Sequence, residues 1–473
     1  MAQQPDLRAI EKNIVGEVMT SRAAYDVLLE LCDTYGHRFA GSAEGKRAAT
    51  YIVKLWRSFG LKKVHKEPFV LDAWRRGVAT LEVLEPERRT LECIGLPNTP
   101  ATPKGGIAAE FLSAGCGTPD EFARLGRKPR GKIVMASSST PDDVRRWIHR
   151  MEKYGRSIGA GAKAFLFVNH VEGLLPPTGS IRHHGGRTIP GVGIAKETGA
   201  YLDRLAGKGK VKLRLTVGGR MFKTTVHNVV GEIPGSSCPD EIVLTGGHYD
   251  GHDISQGAHD NASGIAAISE AARALAPHAG SIDRTIRFVA FGAEEVGLLG
   301  SGHYAADHAD SLDAIRFMLN VDGAAGTGPF GVSFDRWPEL PPLLSKLGTE
   351  MCYPLLSRQR IGIYSDNFAF FLAGVPSGTL QATPAGGKGR GFGHTAADTV
   401  DKPPMRNLQE SSSVVARVLL RVANLENWPV RKRRSAATVK RLLKEEGILE
   451  TLTWERRNPF TRPTGKRPPK GYW

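Results

Sequence analysis

Five short stretches of this 473-residue chain place a histidine or a carboxylate where chemistry could be done. They are Gly246-Gly247-His248-Tyr249-Asp250, Gly257-Ala258-His259-Asp260-Asn261-Ala262-Ser263-Gly264, Gly292-Ala293-Glu294-Glu295, Asn320-Val321-Asp322-Gly323 and Gly393-His394-Thr395. Each of these pieces has a bland reading alone. A histidine at a strand end can simply pack, Asp260 can cap a helix and Asp322-Gly323 can make a turn. Together they offer five convergent nitrogen and oxygen donors with no cysteine, a set that suits zinc, with cobalt or manganese as alternatives. A single catalytic ion usually takes three protein ligands. Two ions sharing one carboxylate would use all five, and such a pair can activate water and polarise a carbonyl. In the Glu294-Glu295 pair, one carboxylate can bind metal while its neighbour accepts the water proton. Asp250, two residues after His248, is placed to hold the other imidazole nitrogen and fix its tautomer.

The elements that must position these residues follow from apolar periodicity. Residues 10–20, 23–35 and 44–59 read as helices, the last ended by Gly60. From residue 225, strands at 242–245, 285–291 and 316–322 alternate with helices at 264–275, 300–308, 340–348, 366–373 and 408–424. That alternation predicts an α/β domain with helices on both faces of its sheet, and ligands then cluster at the carboxyl ends of strands. Between them, residues 76–222 change character. Short strands at 79–83, 132–136, 164–168 and 191–194 lie among dense Gly and Pro, with a helix expected at 144–154. This predicts an inserted β-rich or α+β unit. The division is thus 1–75 (first part of the main domain), 76–222 (insert), 223–428 (main domain) and 429–473 (tail).

Composition is ordinary for a globular chain, 41% hydrophobic and 24% charged. The net charge is +16, but residues 429–473 hold 13 Lys/Arg and 4 Asp/Glu, a net +9. The excess therefore sits largely in the tail, which reads as a solvated arm or a strap over the body rather than as a nucleic-acid arm. Five scattered cysteines without a CxxC argue against a disulfide framework or thiolate zinc site. No signal-like N-terminus and no apolar stretch of membrane length are present, so no membrane association and a cytoplasmic location are expected.

The five stretches resemble the M28 family of zinc aminopeptidases and carboxypeptidases. Supporting matches are Leu299-Gly300-Ser301, Tyr364-Ser365-Asp366-Asn367, Gly374-Val375-Pro376 and Ala40-Gly41-Ser42 before a helix. Gln256-Gly257-Ala258 before Asp260 is most similar to the carboxypeptidase Q-like branch. The insert resembles a protease-associated (PA) domain through Gly131-Lys132-Ile133-Val134, Gly161-Ala162-Lys163-Ala164 and Ile189-Pro190-Gly191-Val192-Gly193-Ile194. The resemblance implies a three-layer zinc-exopeptidase fold, a mixed sheet with helices on both faces, plus the PA-like insert as a lid or access module. It implies two zinc ions bridged by Asp260, with His248 and Asp322 completing one site, Glu295 and His394 the other, and Glu294 as general base. It also implies a cis peptide bond after Asp260. Some members carry a Tyr immediately before the late His to support the oxyanion. Here that position is Gly393, preceded by Phe392, and Tyr364 is the substitute candidate.

The expected function is hydrolysis of peptides by a dinuclear zinc aminopeptidase or dipeptidase. The alternatives are a single-zinc glutaminyl-cyclase-like enzyme and a non-catalytic binding protein on the same fold. Peptides are the expected partners. Lys388 and Arg390 are candidates to pair a substrate carboxylate, against a bland role as solvated loop charges. Oligomeric state is open, a homo-oligomer included.

Overall fold

The computed structural model describes residues 6–144, 146–182, 186–383 and 391–457. At its centre are four parallel strands, Ser377–Thr383, Ile315–Asn320, Cys238–His248 and Arg284–Phe291, in that spatial order. Antiparallel strands flank them: Thr327–Phe334 on one side and Lys212–Ile233 on the other. The sheet is therefore mixed. Side chains alternate between its faces, as the pleat requires. Val243, Ile286, Phe288 and Ala290 point into one core, shared with the helices Leu7–Thr20, Ala43–Ser58, Ser263–Leu275 and Met405–Ala423. Ile242, Leu244, Val289 and Phe291 point into the other, under the helices Leu299–Asp307 and Asn367–Leu372. The first 60 residues thus supply helices to one face of a sheet built from residues after 211, as the alternating pattern predicts.

Two long strands tie the insert to this body. Lys62–Glu85 and Lys212–Ile233 pair antiparallel from Lys62 opposite Glu232 to Glu85 opposite Lys212. The expected junctions at 75/76 and 222/223 fall within these strands. The register breaks between Arg76 and Ala79. There Gly77 lies so close to Gly218 that a Cβ would sit 2.5 Å from its carbonyl carbon, the close approach that a strand glycine permits. Beyond this point the insert forms parallel strands Ile107–Ser113, Ile133–Ser137, Ala164–Val168 and Gly191–Ile194, with helices Pro119–Leu125, Arg150–Gly159 and Lys196–Ala206. The helix expected at 144–154 starts later. His149 fixes its beginning, because Nδ1 accepts from the Met151 N–H at 3.3 Å.

Through residue 457 the tail is a strap. Ser435 caps the helix Ala436–Glu445, and Gly447 in the left-handed region (φ 68°) turns the chain into Ile448–Trp454. Val439, Leu442, Leu443 and Leu452 complete a core with Ile361, Ile363, Phe368 and Phe371. Trp454 lies against Gly155 and Gly159 of the insert, with the Arg156 guanidinium 4.6 Å from its ring centroid. Tail cations are engaged too: Arg433 pairs with Asp313 at 2.8 Å, and Arg434 stacks 3.6 Å over Trp337. The strap therefore joins the main domain to the insert.

Candidate metal centre

Every sequence-predicted donor lies beyond the carboxyl end of a central parallel strand, and the structure brings all of them together. His248 ends Cys238–His248, opposite Phe291 in the neighbouring strand. Glu294 and Glu295 follow Arg284–Phe291, and Asp322 follows Ile315–Asn320. Asp260 precedes the helix Ser263–Leu275, and His394 comes from the loop after Ser377–Thr383.

The Asp260 carboxylate stands between two groups. Its Oδ1 is 3.3 Å from His248 Nε2, and its Oδ2 is 3.2 Å from His394 Nε2. On the first side, His248 Nε2 also faces Asp322 Oδ1 at 3.5 Å and Glu294 Oε2 at 4.0 Å. On the second, His394 Nε2 is 3.1 Å from Glu295 Oε2, and His252 Nε2 is 2.8 Å from the same oxygen. All of these side chains are buried except Asp260 and Asp322, which are partly exposed.

A rigid frame holds this arrangement. Asn261 joins three donor loops: its Nδ2 donates to His248 O and Val321 O, and its Oδ1 accepts from the N–H groups of Gly264 and Gly323. The Asp260–Asn261 peptide is cis, as the resemblance implies. Ser365 Oγ donates to Asp322 Oδ2 at 2.6 Å. Asp398 accepts from the His259 and Asp260 N–H groups at 2.8 and 3.1 Å. Arg38, fully buried, donates to the carbonyls of Leu31, Tyr249, Gln256 and Gly257, pinning the loop between His248 and Asp260.

One expected contact is different. The Asp250 carboxylate does not fix the His248 tautomer: Oδ1 is 3.8 Å from Nδ1. Nδ1 instead donates to the Asp250 main-chain carbonyl at 3.0 Å. The carboxylate turns toward the next strand end and accepts from the N–H groups of Glu294 and Glu295 at 3.1 and 3.3 Å. The strand-end turn after His248 already places a carbonyl against the ring, which frees the side chain to hold the glutamate pair. The ring orientation is the expected one either way, with Nε2 facing Asp260 and Asp322.

Electrostatics favour a cationic guest. Burial, reinforced by Glu295, Asp322 and Asp366, pushes the Glu294 carboxyl well above its usual range, with His248 opposing. Burial disfavours a charged His248, yet Glu294, Asp260 and Asp322 outweigh it and hold the ring well above an ordinary histidine. His252 goes the other way, lowered by burial to about 4, so it stays neutral with a free lone pair. Among the described residues, His248 Nε2, both His252 nitrogens and Glu295 Oε1 are buried without a hydrogen bond. Buried donors of this kind normally have partners, and a divalent cation at each group would supply one.

Sequence reasoning missed His252, Asp398 and Arg38. His252 and Asp398 each stand four residues after a predicted donor, the only hint the sequence offered. It also missed the cleft walls contributed by the insert and strap, His149, Arg150, Arg182 and Arg457. Tyr364 lines the same cleft, but its hydroxyl donates to the buried Glu455 of the strap at 2.9 Å. Lys388 and Arg390 lie outside the described residues.

Known proteins carry the same pattern. The model of Peptidase family M28 matches residues 228–419, and that of the PA domain matches 102–202. Human carboxypeptidase Q is 30% identical over 412 residues, 85% of this chain and 86% of that protein. Aminopeptidase YwaD of Bacillus subtilis is 28% identical over 425 residues, 86% of each. Among solved structures, a peptidase M28 precursor from Shewanella amazonensis superposes with a TM-score of 0.79 at 25% identity, covering 90% of this chain and 99% of that one. BSAP, a zinc aminopeptidase from Bacillus subtilis, gives 0.66 at 26% identity, covering 87% and 98%. The chain belongs to peptidase family M28 and is a hydrolase of the metallo-exopeptidase class with an inserted PA domain.

Proposed function

We propose that the chain is a dinuclear zinc exopeptidase, an aminopeptidase or dipeptidase. The observation that carries this reading is the Asp260 carboxylate, with one oxygen toward His248 and the other toward His394. The donor set fits zinc: imidazole and carboxylate without thiolate, and buried nitrogens left without hydrogen bonds. Cobalt and manganese accept the same donors. His248, Asp322 and Asp260 Oδ1 would hold one ion, and Glu295, His394 and Asp260 Oδ2 the other. When bound, the pair would supply Lewis acidity toward the scissile carbonyl and acidify the attacking water.

The chain's own groups do the rest. Glu294 takes the water proton on its carboxylate and returns it to the departing amine. Asp250 holds the backbone of the glutamate pair through both N–H groups, so Glu294 stays aimed at the cleft. Residues of the insert and strap, His149, Arg150, Arg182 and Arg457, wall the cleft and would limit the length of substrate. Among the described residues no helix is long and apolar enough to cross a membrane. The free state of all five cysteines supports a reducing, cytoplasmic location.

The test is hydrolysis of a panel of dipeptides and amino-acid anilides before chelation, after chelation and after zinc is restored. Cleavage that is lost and then recovered supports the reading. Zinc-dependent cyclisation of N-terminal glutamine without peptide cleavage would favour the single-zinc alternative.

A further inference from the structure

We propose that His252 is a metal ligand, the third side chain dedicated to the ion held by Glu295 and His394. This inference rests on the dinuclear reading above and extends it. His252 is 2% exposed. Its Nε2 lies 2.8 Å from Glu295 Oε2, and His394 Nε2 lies 3.1 Å from that same oxygen. Donors on a tetrahedral ion with bonds of about 2.0–2.1 Å stand roughly 3.4 Å apart, so these three atoms are spaced for a common guest. The His252–Glu295 contact is close but lacks hydrogen-bond geometry, and neither ring nitrogen has a hydrogen-bond partner. An imidazole buried in this way beside two metal donors has one chemical use for its lone pair.

The ring is held for that purpose. It meets the His394 ring edge to face at 4.2 Å, packs on Phe39 at 6.3 Å, and its chain is fixed by the Gly251 N–H donating to His37 O at 3.1 Å. With Asp260 Oδ2, the set on this side becomes two imidazoles and two carboxylates, the four ligands of a closed tetrahedral site. The other side has His248, Asp322 and Asp260 Oδ1, three ligands with a position open. The two sites are therefore unequal. The ion beside His252 is the tightly held one, and the ion beside His248 exchanges and meets the substrate.

The experiment uses the full-length enzyme labelled with nitrogen-15 at histidine and loaded stepwise with cobalt(II), read by paramagnetic proton NMR. Full loading is expected to give strongly shifted ring signals from three coordinated histidines, two of them appearing with the first equivalent. His252→Phe should show two such signals in all. In competition with a chromophoric chelator it should bind one equivalent of zinc at least 100-fold more weakly while the other equivalent is unchanged. Two shifted histidines in the wild-type enzyme would overturn the proposal and leave His252 as a group that only positions Glu295. The wild-type count stands whether or not the variant folds. Absence of cobalt binding at any ratio would instead overturn the dinuclear reading beneath it.

Discussion

Leu443→Ala tests whether the basic tail is part of the fold. Leu443 is fully buried in the core formed by the strap with Ile361, Ile363, Phe368 and Phe371. Truncating a buried leucine to alanine costs about 2–5 kcal/mol, the transfer term plus the cavity. At the lower figure the open population rises about 30-fold. Amide hydrogen exchange in the helices Ala436–Glu445 and Ile448–Trp454 reports this directly, because exchange follows local opening. These amides should exchange at least 30-fold faster in the variant, with Lys440→Ala, an exposed position on the same helix, as the control. Turnover should fall along with protection, since Glu455 at the end of the strap holds the Tyr364 hydroxyl in the cleft. Exchange unchanged from the wild type, or equal acceleration by Lys440→Ala, would refute the docking argument and return the tail to a solvated arm.

Three further outcomes follow from the site and its surroundings. Glu294→Gln should keep the wild-type metal content and lower kcat by about 10²–10⁴-fold, the usual worth of a general base; near-normal turnover would remove Glu294 from that role. Asp250→Asn replaces one of two acceptors facing the Glu294 and Glu295 N–H groups with a donor. It should cost about 1–3 kcal/mol in a urea melt and lower kcat with little change in KM. Away from the site, Arg316 and Arg284 hold Glu241 down at about 2. Between that value and the ordinary 4.5, the unfolded chain binds the proton that the native state refuses, so stability rises with pH. The contribution is complete above the unfolded value and is lost as pH falls toward 2. Glu241→Gln should therefore lose less stability than the wild type when urea midpoints at pH 6 and pH 3 are compared.

What could be read in the sequence divides along a physical line. The strands near 242–245, 285–291 and 316–322 were legible because strands buried on both faces are near-continuous apolar runs. The donors stood at their carboxyl ends, where loop residues are free of the ladder. The Asp250 carboxylate was assigned to the wrong partner. Its contact is to a backbone 44 residues away, and strand pairing rather than local spacing sets it. His252 escaped for a similar reason, because its spacing from His248 carries no helical or strand period once the chain leaves the sheet. Of the long strand Lys62–Glu85 only stretches at 63–71 and 79–83 were read, and Lys212–Ile233 was not read as a strand, since mixed polar and apolar positions along both hide a continuous pairing. In the tail, the short helix that the residues from Ala436 to Glu446 suggest is found at Ala436–Glu445, and its apolar stripe, Val439, Leu442 and Leu443, follows helical spacing.

The central claim is that two ions share Asp260. Anomalous diffraction from crystals of the zinc-loaded enzyme tests it most directly. The account predicts two zinc peaks about 3.5–4 Å apart, with Asp260 Oδ1 on the ion beside His248 and Oδ2 on the ion beside His394. A single peak in fully loaded crystals, or two peaks with Asp260 bound to only one of them, would contradict it.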